Sequence, residues 1–303
     1  ADHYAPDYGA FLSGGVGGVL ERIRRSMEKH GDDPDKSEFL KAAEIAMTAF
    51  GVMTAQYGEA ARQAAQNALG ESKRQLLCIA DICEKLKDRK PETFREALQL
   101  VWLVYIAFVY EGRYAMALGR MDQYLYPYYE RDAANGILDR EFAKELVACA
   151  LYKIGENRYF GADDVVNIAI GGVRPDGGDA VNELSYIILE AVRDCGIAGP
   201  NLSARIHQDA PDRFLDECLQ VIGTGIGYPA LMNDEVNIAA LQQCGYEMED
   251  CRNYCMVGCV ENFLPGQQPP WSDGRFNSPV YLELALNGGY SWREGAQLGP
   301  HTK

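Results

Sequence analysis

The spacing of apolar and polar positions divides the chain into a helical first part and a later part in which short apolar segments alternate with helices. From Leu20 to about Lys87, charge-rich text with alanine-dense stretches such as Ala60 to Ala68 is broken at Gly31-Asp32-Asp33-Pro34 and at Gly70, which predicts a set of helices. After Pro91, Glu92 to Val109 predicts another helix, and Arg140 to Ile154 repeats apolar residues at three-and-four spacing. Val165 to Ile170, ahead of Gly171-Gly172, and Asn201 to Ile206 have the length and composition of strands. Ala180 to Cys195 and Pro211 to Ile222 read as helices, the second running into the glycine-rich turn Gly223 to Gly227. Strand, helix, strand, helix in that order predicts an α/β fold with a parallel sheet or barrel wrapped by helices. Leu282 to Asn287 predicts a last helix, running into Gly288-Gly289. No repeat, low-complexity tract or linker interrupts this pattern.

Charge and composition narrow the function classes. The chain has 303 residues with 44 acidic against 29 basic side chains, a net charge of −15, which repels nucleic-acid phosphates and anionic membrane surfaces alike. The longest apolar run, Leu100 to Tyr110, falls well short of the ~20 residues that a spanning helix needs and reads as a core helix. Nine cysteines, an odd number in a chain with ample core, favour reduced thiols in a cytoplasmic setting over a disulfide framework. The opening at Ala1-Asp2-His3-Tyr4 and the polar close at Gly299-Pro300-His301-Thr302-Lys303 lead us to expect an interior piece of a longer polypeptide.

Most local motifs carry little chemistry. Cys251, Cys255 and Cys259 are spaced by four and would share one face of a helix. Their C-x3-C-x3-C spacing differs from the C-x3-C-x2-C of radical S-adenosylmethionine enzymes, so Cys251 and Cys255 read as buried structural thiols and no metal site is expected. Gly223-Thr224-Gly225-Ile226-Gly227 lacks both the dinucleotide-binding glycine order and a P-loop lysine. The histidines at 3, 30, 207 and 301 form no zinc-protease pair.

Val257-Gly258-Cys259-Val260-Glu261 stands apart, in a loop stiffened downstream by Pro265, Pro269 and Pro270. In an extended chain residues 259 and 261 point to the same side, which would aim a thiol and a carboxylate into one space for hydrogen-atom and proton transfer. A buried cysteine beside a surface glutamate fits the same spacing.

Gly258-Cys259-Val260-Glu261 resembles the active-site cysteine loop of the glycyl radical enzymes, the relatives of pyruvate formate-lyase. The resemblance extends to Gly119-Arg120-Met121-Asp122-Gln123-Tyr124-Leu125-Tyr126-Pro127, similar to a helix and turn of that family, and to Asn167-Ile168-Ala169-Ile170-Gly171-Gly172. Pro200-Asn201-Leu202-Ser203-Ala204-Arg205, Gly225-Ile226-Gly227-Tyr228-Pro229 and Asn233-Asp234 follow in the expected order, so it spans most of residues 1–303. It implies a ten-stranded α/β barrel of two five-stranded halves, ringed by helices. This largely helical chain would cover part of that single barrel domain, with the cysteine on a loop threaded into the barrel.

The resemblance also implies the chemistry. A glycyl radical, installed by a separate radical S-adenosylmethionine activase, would take the hydrogen from Cys259, and the thiyl would take a hydrogen atom from substrate. Glu261 would act as general base, Asp273 would bind a substrate hydroxyl, and His3, in a stretch similar to a family G-H-x-x-P-D-Y, would reach the pocket. No R-V-x-G-[YF] stretch for the radical glycine occurs in this chain, so that residue is expected on a missing C-terminal segment. A small-molecule substrate, the activase and a homodimer partner are the implied associations.

Branch and substrate are narrowed by departures from the family's patterns. Gly258 stands where formate-lyase members carry a second cysteine, which excludes formate C-acetyltransferase chemistry. Asn262 replaces a usual proline, and Glu111-Gly112-Arg113-Tyr114-Ala115 lacks the histidine and serine of glycerol dehydratases. Arg113, Arg158 and Arg275 would suit an anionic substrate instead. A radical eliminase predicts Cys259 and Glu261 buried together beside a closed polar pocket. A radical decarboxylase of an arylacetate-like acid predicts a flatter pocket lined by Phe263, Trp271 or Tyr114, and an inactive scaffold paralogue predicts no radical on activation.

Overall fold

A computed structural model describes residues 3–113, 115–157, 165–197, 199–271 and 276–301. The first part is helical, as the pattern predicts, and its ends are set by local chemistry. Helix α1 (Tyr8–His30) starts well before Leu20 because the Asp7 side chain caps it, accepting from the Ala10 N–H at 2.9 Å. Asp33 and Pro34 open α2 (Pro34–Asn67), and Gly70 opens α3 (Gly70–Leu86), so both predicted breaks are real. Thr93 and Glu96 form a capping box on α4 (Phe94–Tyr110), whose face from Ala97 to Tyr105 is buried.

Four short strands follow: β1 (Ala117–Arg120), β2 (Asn167–Gly171), β3 (Asn201–Ile206) and β4 (Ala230–Asn233). They pair in parallel in the order β1-β2-β3-β4, with Asn167 opposite Asn201 and Ser203 opposite Ala230. Tyr4 bridges Met116 in parallel and accepts from the Ala117 N–H at 2.9 Å, which lays the segment around His3 beside β1. Between strands run α5 (Met121–Tyr124), α6 (Tyr126–Ala134), α7 (Arg140–Asn157), α8 (Glu183–Cys195) and α9 (Asp212–Gly223). The residues of β1 and β4 were not expected as strands. Ala117-Leu118-Gly119-Arg120 is four residues long and holds a glycine at φ 64°, too short for alternation to register.

The two faces of the sheet differ in kind. Ile168, Ile170, Leu202 and Ala204 are fully buried in a core shared with Ile187, Ile188 and Ala191 of α8 and with Val147 and Leu151 of α7. Asn167, Ala169 and Gly171, with Asn201, Ser203 and Arg205, occupy the alternate positions and so the other face. That face is largely polar, and all of these residues but the half-buried Asn201 are buried as well.

After β4 come α10 (Asp234–Gln243), α11 (Met248–Arg252) and an antiparallel hairpin of β5 (Cys255–Val257) and β6 (Glu261–Phe263). Residues 271–301 form a second compact unit. In it, α12 (Ser278–Leu286) is capped by Asn277, beginning earlier than Leu282, and Tyr290–Ser291 pairs antiparallel with Ala296–Gln297. Among the described residues, no helix is long and apolar enough to cross a membrane, and no group of three or more His, Cys, Asp or Glu is placed to hold a metal ion.

Candidate active site

Hairpin β5–β6 crosses the polar face of the sheet and is gripped at both ends. At its base, two buried arginines converge on backbone carbonyls. Arg205 donates to Tyr254 O and Arg252 O, each at 2.9 Å, and Arg120 donates to Arg252 O at 3.1 Å and Gly171 O at 3.0 Å. Asp234 balances Arg205 through two bonds of 2.8 Å, and Tyr254 adds its hydroxyl to the same carboxylate while its ring lies 3.9 Å from the guanidinium carbon. Burial and the like charge of Arg205 push Arg120 down to about 9, so it stays charged at neutral pH. Asp122 accepts from Gly171 N and Ser185 Oγ, and burial raises its carboxyl above the ordinary range.

Along the hairpin, Cys255, Met256 and Val257 are fully buried. Burial pushes the Cys255 thiol up to about 12, which leaves it protonated and inert, as expected for a structural thiol. Cys251 is buried too, but the three cysteines do not share a helical face. Cys251 lies in α11, Cys255 in β5 and Cys259 in a turn. The described residues contain no disulfide.

At the tip, residues 258–260 form a turn that joins the strands. Asn167 Nδ2 donates to Cys259 O at 3.1 Å, and Asn201 Nδ2 donates to Gly258 O at 3.2 Å. On the other side of the turn, Glu261 Oε2 accepts from the Val260 N–H at 3.1 Å. Gly258 has φ 55°, and a Cβ placed on it would collide with the His3 imidazole and come within 2.8 Å of Glu261 Oε2. His3, Glu261 and the Cys259 turn are therefore gathered around one glycine. Gly258→Ala is expected to shift this tip and lower turnover of the full-length protein by about tenfold or more, with only a few degrees lost in melting temperature. Unchanged turnover would show that the close approach is incidental.

Three of the four residues singled out from sequence thus come together, and Asp273 lies outside the described residues, as do Arg158, Arg275 and Tyr114. Two expectations need correction. Residues 259 and 261 are not aimed together by an extended strand, because 259 sits in the turn and only Glu261 is in β6. Cys259 and Glu261 are not buried together either: within this chain Cys259 is exposed and Glu261 half-buried, by the ends of the two central strands where Asn167 and Asn201 lie. Sequence reasoning assigned no role to Asn167, Asn201, Ser203, Arg205 or Asp234. The signal available was an asparagine opening each of two strands, followed in the second by Ser203 and Arg205 at alternate positions, since a buried polar group is retained only where it is bonded.

The chain that carries this turn is matched along its length by known proteins. The pyruvate formate lyase-like family model covers residues 1–303. The chain belongs to that family. It is 37% identical over 287 residues to the trans-4-hydroxy-L-proline dehydratase of Clostridioides difficile, an alignment covering 89% of this chain and 36% of the relative. It is 31% identical over 323 residues to the (2S)-3-sulfopropanediol dehydratase of Klebsiella oxytoca, covering 100% and 39%. Among solved structures, the glycerol-bound B12-independent glycerol dehydratase of Clostridium butyricum superposes with a TM-score of 0.88 at 33% identity, covering 99% of this chain and 40% of that one. These pyruvate formate lyase-like relatives are glycyl radical enzyme barrels, and this chain is an α/β part of such a barrel that spans about 40% of the length of its relatives.

Proposed function

We propose that this chain carries the hydrogen-transfer cysteine of a glycyl radical eliminase acting on a small polar molecule, within a single barrel domain that includes all of residues 1–303. The observation that carries the reading is the tip geometry: the turn bearing Cys259 is fixed through its carbonyls to the sheet, while Glu261 and His3 crowd Gly258. The relatives' names, which denote removal of water from hydroxylated substrates, support the same reaction class. The exposed Cys259 is consistent with a partner surface supplied by barrel segments beyond the matched share of the relatives.

A glycine on another segment, activated by a radical S-adenosylmethionine enzyme, would supply one hydrogen-abstracting equivalent to the thiol. Cys259 Sγ then takes a hydrogen atom from a substrate C–H bond, forming S–H and leaving a carbon radical. Glu261 accepts the proton of the hydroxyl on that carbon, and the resulting ketyl character weakens the bond to the neighbouring leaving group, which departs with its electron pair and takes up the proton that Glu261 accepted. The Cys259 S–H bond breaks once more to return a hydrogen atom to the product radical. His3 and Asp273 would hold the substrate hydroxyls, and exclusion of water around the sulfur would protect the thiyl. Gly258 in place of a second cysteine argues against acyl transfer and so against formate C-acetyltransferase. A cytoplasmic, anaerobic setting and a homodimer complete the proposal.

Glu261→Gln keeps the shape of the site but removes the base. It is expected to lower kcat of the activated full-length protein by about 10²- to 10⁴-fold while the radical still forms. Incubation with hydroxylated and sulfonated substrates, with products followed by mass spectrometry, tests the reading. Carbon dioxide release in place of a leaving group would move the activity to decarboxylation.

A further inference from the structure

The bonds around the turn form a chain that reaches beyond the residues assigned to chemistry. Asn167 and Asn201 open β2 and β3, are direct register partners, and lie on the same face of the sheet. Each donates its side-chain N–H to the turn, Asn167 to Cys259 O at 3.1 Å and Asn201 to Gly258 O at 3.2 Å. An amide side chain can turn over and present oxygen in place of nitrogen, which would set an acceptor against these carbonyls. Both amides are held against that reversal. Ser203 Oγ donates to Asn167 Oδ1 at 3.0 Å, and Tyr228 Oη donates to Asn201 Oδ1 in a short bond. A backbone carbonyl only accepts whereas a hydroxyl can donate or accept, so the two carbonyls keep each nitrogen facing the turn while Ser203 and Tyr228 donate to the oxygens. Asn167 and Ser203 are fully buried, which shields their bond from exchange with solvent, while Asn201 and Tyr228 are half-buried.

We propose that Asn167 and Asn201, backed by Ser203 and Tyr228, are positioning residues that fix the backbone of Cys259 and so determine where its sulfur meets the substrate C–H bond. This rests on the eliminase reading above. The physical reason is that hydrogen-atom transfer is steeply distance-dependent and the cysteine sits on a turn with no helix or ladder of its own. The turn's carbonyls are tied to the sheet and one of its N–H groups to Glu261, so a single two-sided grip sets both the sulfur and the base. In this role the asparagines act through the turn, by way of the carbonyls of Gly258 and Cys259.

The experiment uses the full-length protein, anaerobically activated, with Asn167→Leu, Asn201→Leu and Tyr228→Phe. Ile168→Ala, on the opposite face of β2, serves as a control that loosens the core without touching the turn. Each leucine variant is expected to lose about 10- to 100-fold in kcat with KM within about twofold, and to show a larger primary deuterium isotope effect as abstraction becomes limiting. Radical yield by electron paramagnetic resonance should be unchanged, and Tyr228→Phe should fall between these variants and the wild type. The same pattern in Ile168→Ala, or unchanged kcat in both leucine variants, would overturn the proposal. A second arm needs no turnover: hydrogen exchange at the amides of residues 258–260 should accelerate about tenfold in the leucine variants and stay unchanged in Ile168→Ala. If the wild type forms its radical but eliminates nothing, the eliminase reading fails alone, and exchange rates still decide whether these asparagines grip the turn.

Discussion

Replacing Cys259 with alanine is expected to reduce turnover by the activated full-length protein to background, a fall of roughly 10⁴-fold or more, the order found when a covalently participating residue is removed. The same change should cost about 1 kcal/mol or less, because it removes one sulfur atom from the turn and leaves the backbone bonds to Asn167 and Asn201 in place. Cys259→Ser should not rescue activity. Its O–H bond is stronger than S–H, so the abstraction that starts the cycle becomes uphill, and a proton-transfer role alone would have tolerated the hydroxyl. The radical signal should still appear in both variants. Comparable product formation by wild type and Cys259→Ala would end the eliminase and decarboxylase readings together, and failure of the wild type to form a radical would favour an inactive scaffold.

The largest expected effect on stability belongs to the base of the hairpin. Asp234→Asn removes the carboxylate that balances Arg205, two fully buried groups joined by paired bonds of 2.8 Å. An uncompensated guanidinium would remain in the interior, with the charge of Arg120 close by, at a cost of about 3–5 kcal/mol. That is a large share of the roughly 5–15 kcal/mol by which a folded domain is stable. Urea unfolding of the wild type and the variant measures it directly, and a change under about 1 kcal/mol would show that water or backbone groups take over the charge. Arg205→Met combined with Asp234→Leu should recover most of the lost stability, since a buried ion pair replaced by apolar groups is often neutral. It should not recover activity, because Tyr254 O and Arg252 O lose the donors that hold the hairpin base.

The long helices were legible in the sequence because each repeats its apolar period over several turns and carries its own stop signals. Gly31 to Pro34 and Gly70 separate helices in the structure as they do in the text, and β2 and β3 fall where apolar runs meet glycine. Strands β1 and β4 were not legible. Four residues hold no period, and Ala117 to Arg120 becomes a strand only by pairing with β2 on one side while Ala117 N bonds Tyr4 on the other. The candidate site was legible through its resemblance to a family, which picked out Cys259, Glu261 and His3. The bonds that hold them were not, because nothing local marks Asn167, Asn201 and Ser203 as partners of a turn until the hairpin lies over them.

The sequence by itself determined the chemistry that could be present: a cysteine after a glycine, a carboxylate two residues on, and a histidine far away near the first residue. It also determined the sheet's two faces, since alternation along Asn167–Gly171 and Asn201–Ile206 separates apolar from small and polar positions whatever the partners are. Only the tertiary structure decided that His3 reaches Gly258 across more than two hundred residues of chain, that Cys259 sits in a turn and not a strand, and that two asparagines grip it. The reason is physical. Period and capping act between neighbours in sequence, whereas a hydrogen bond from Asn167 to Cys259 exists only after β1, β2 and β3 have paired and left a polar face for the hairpin to cross.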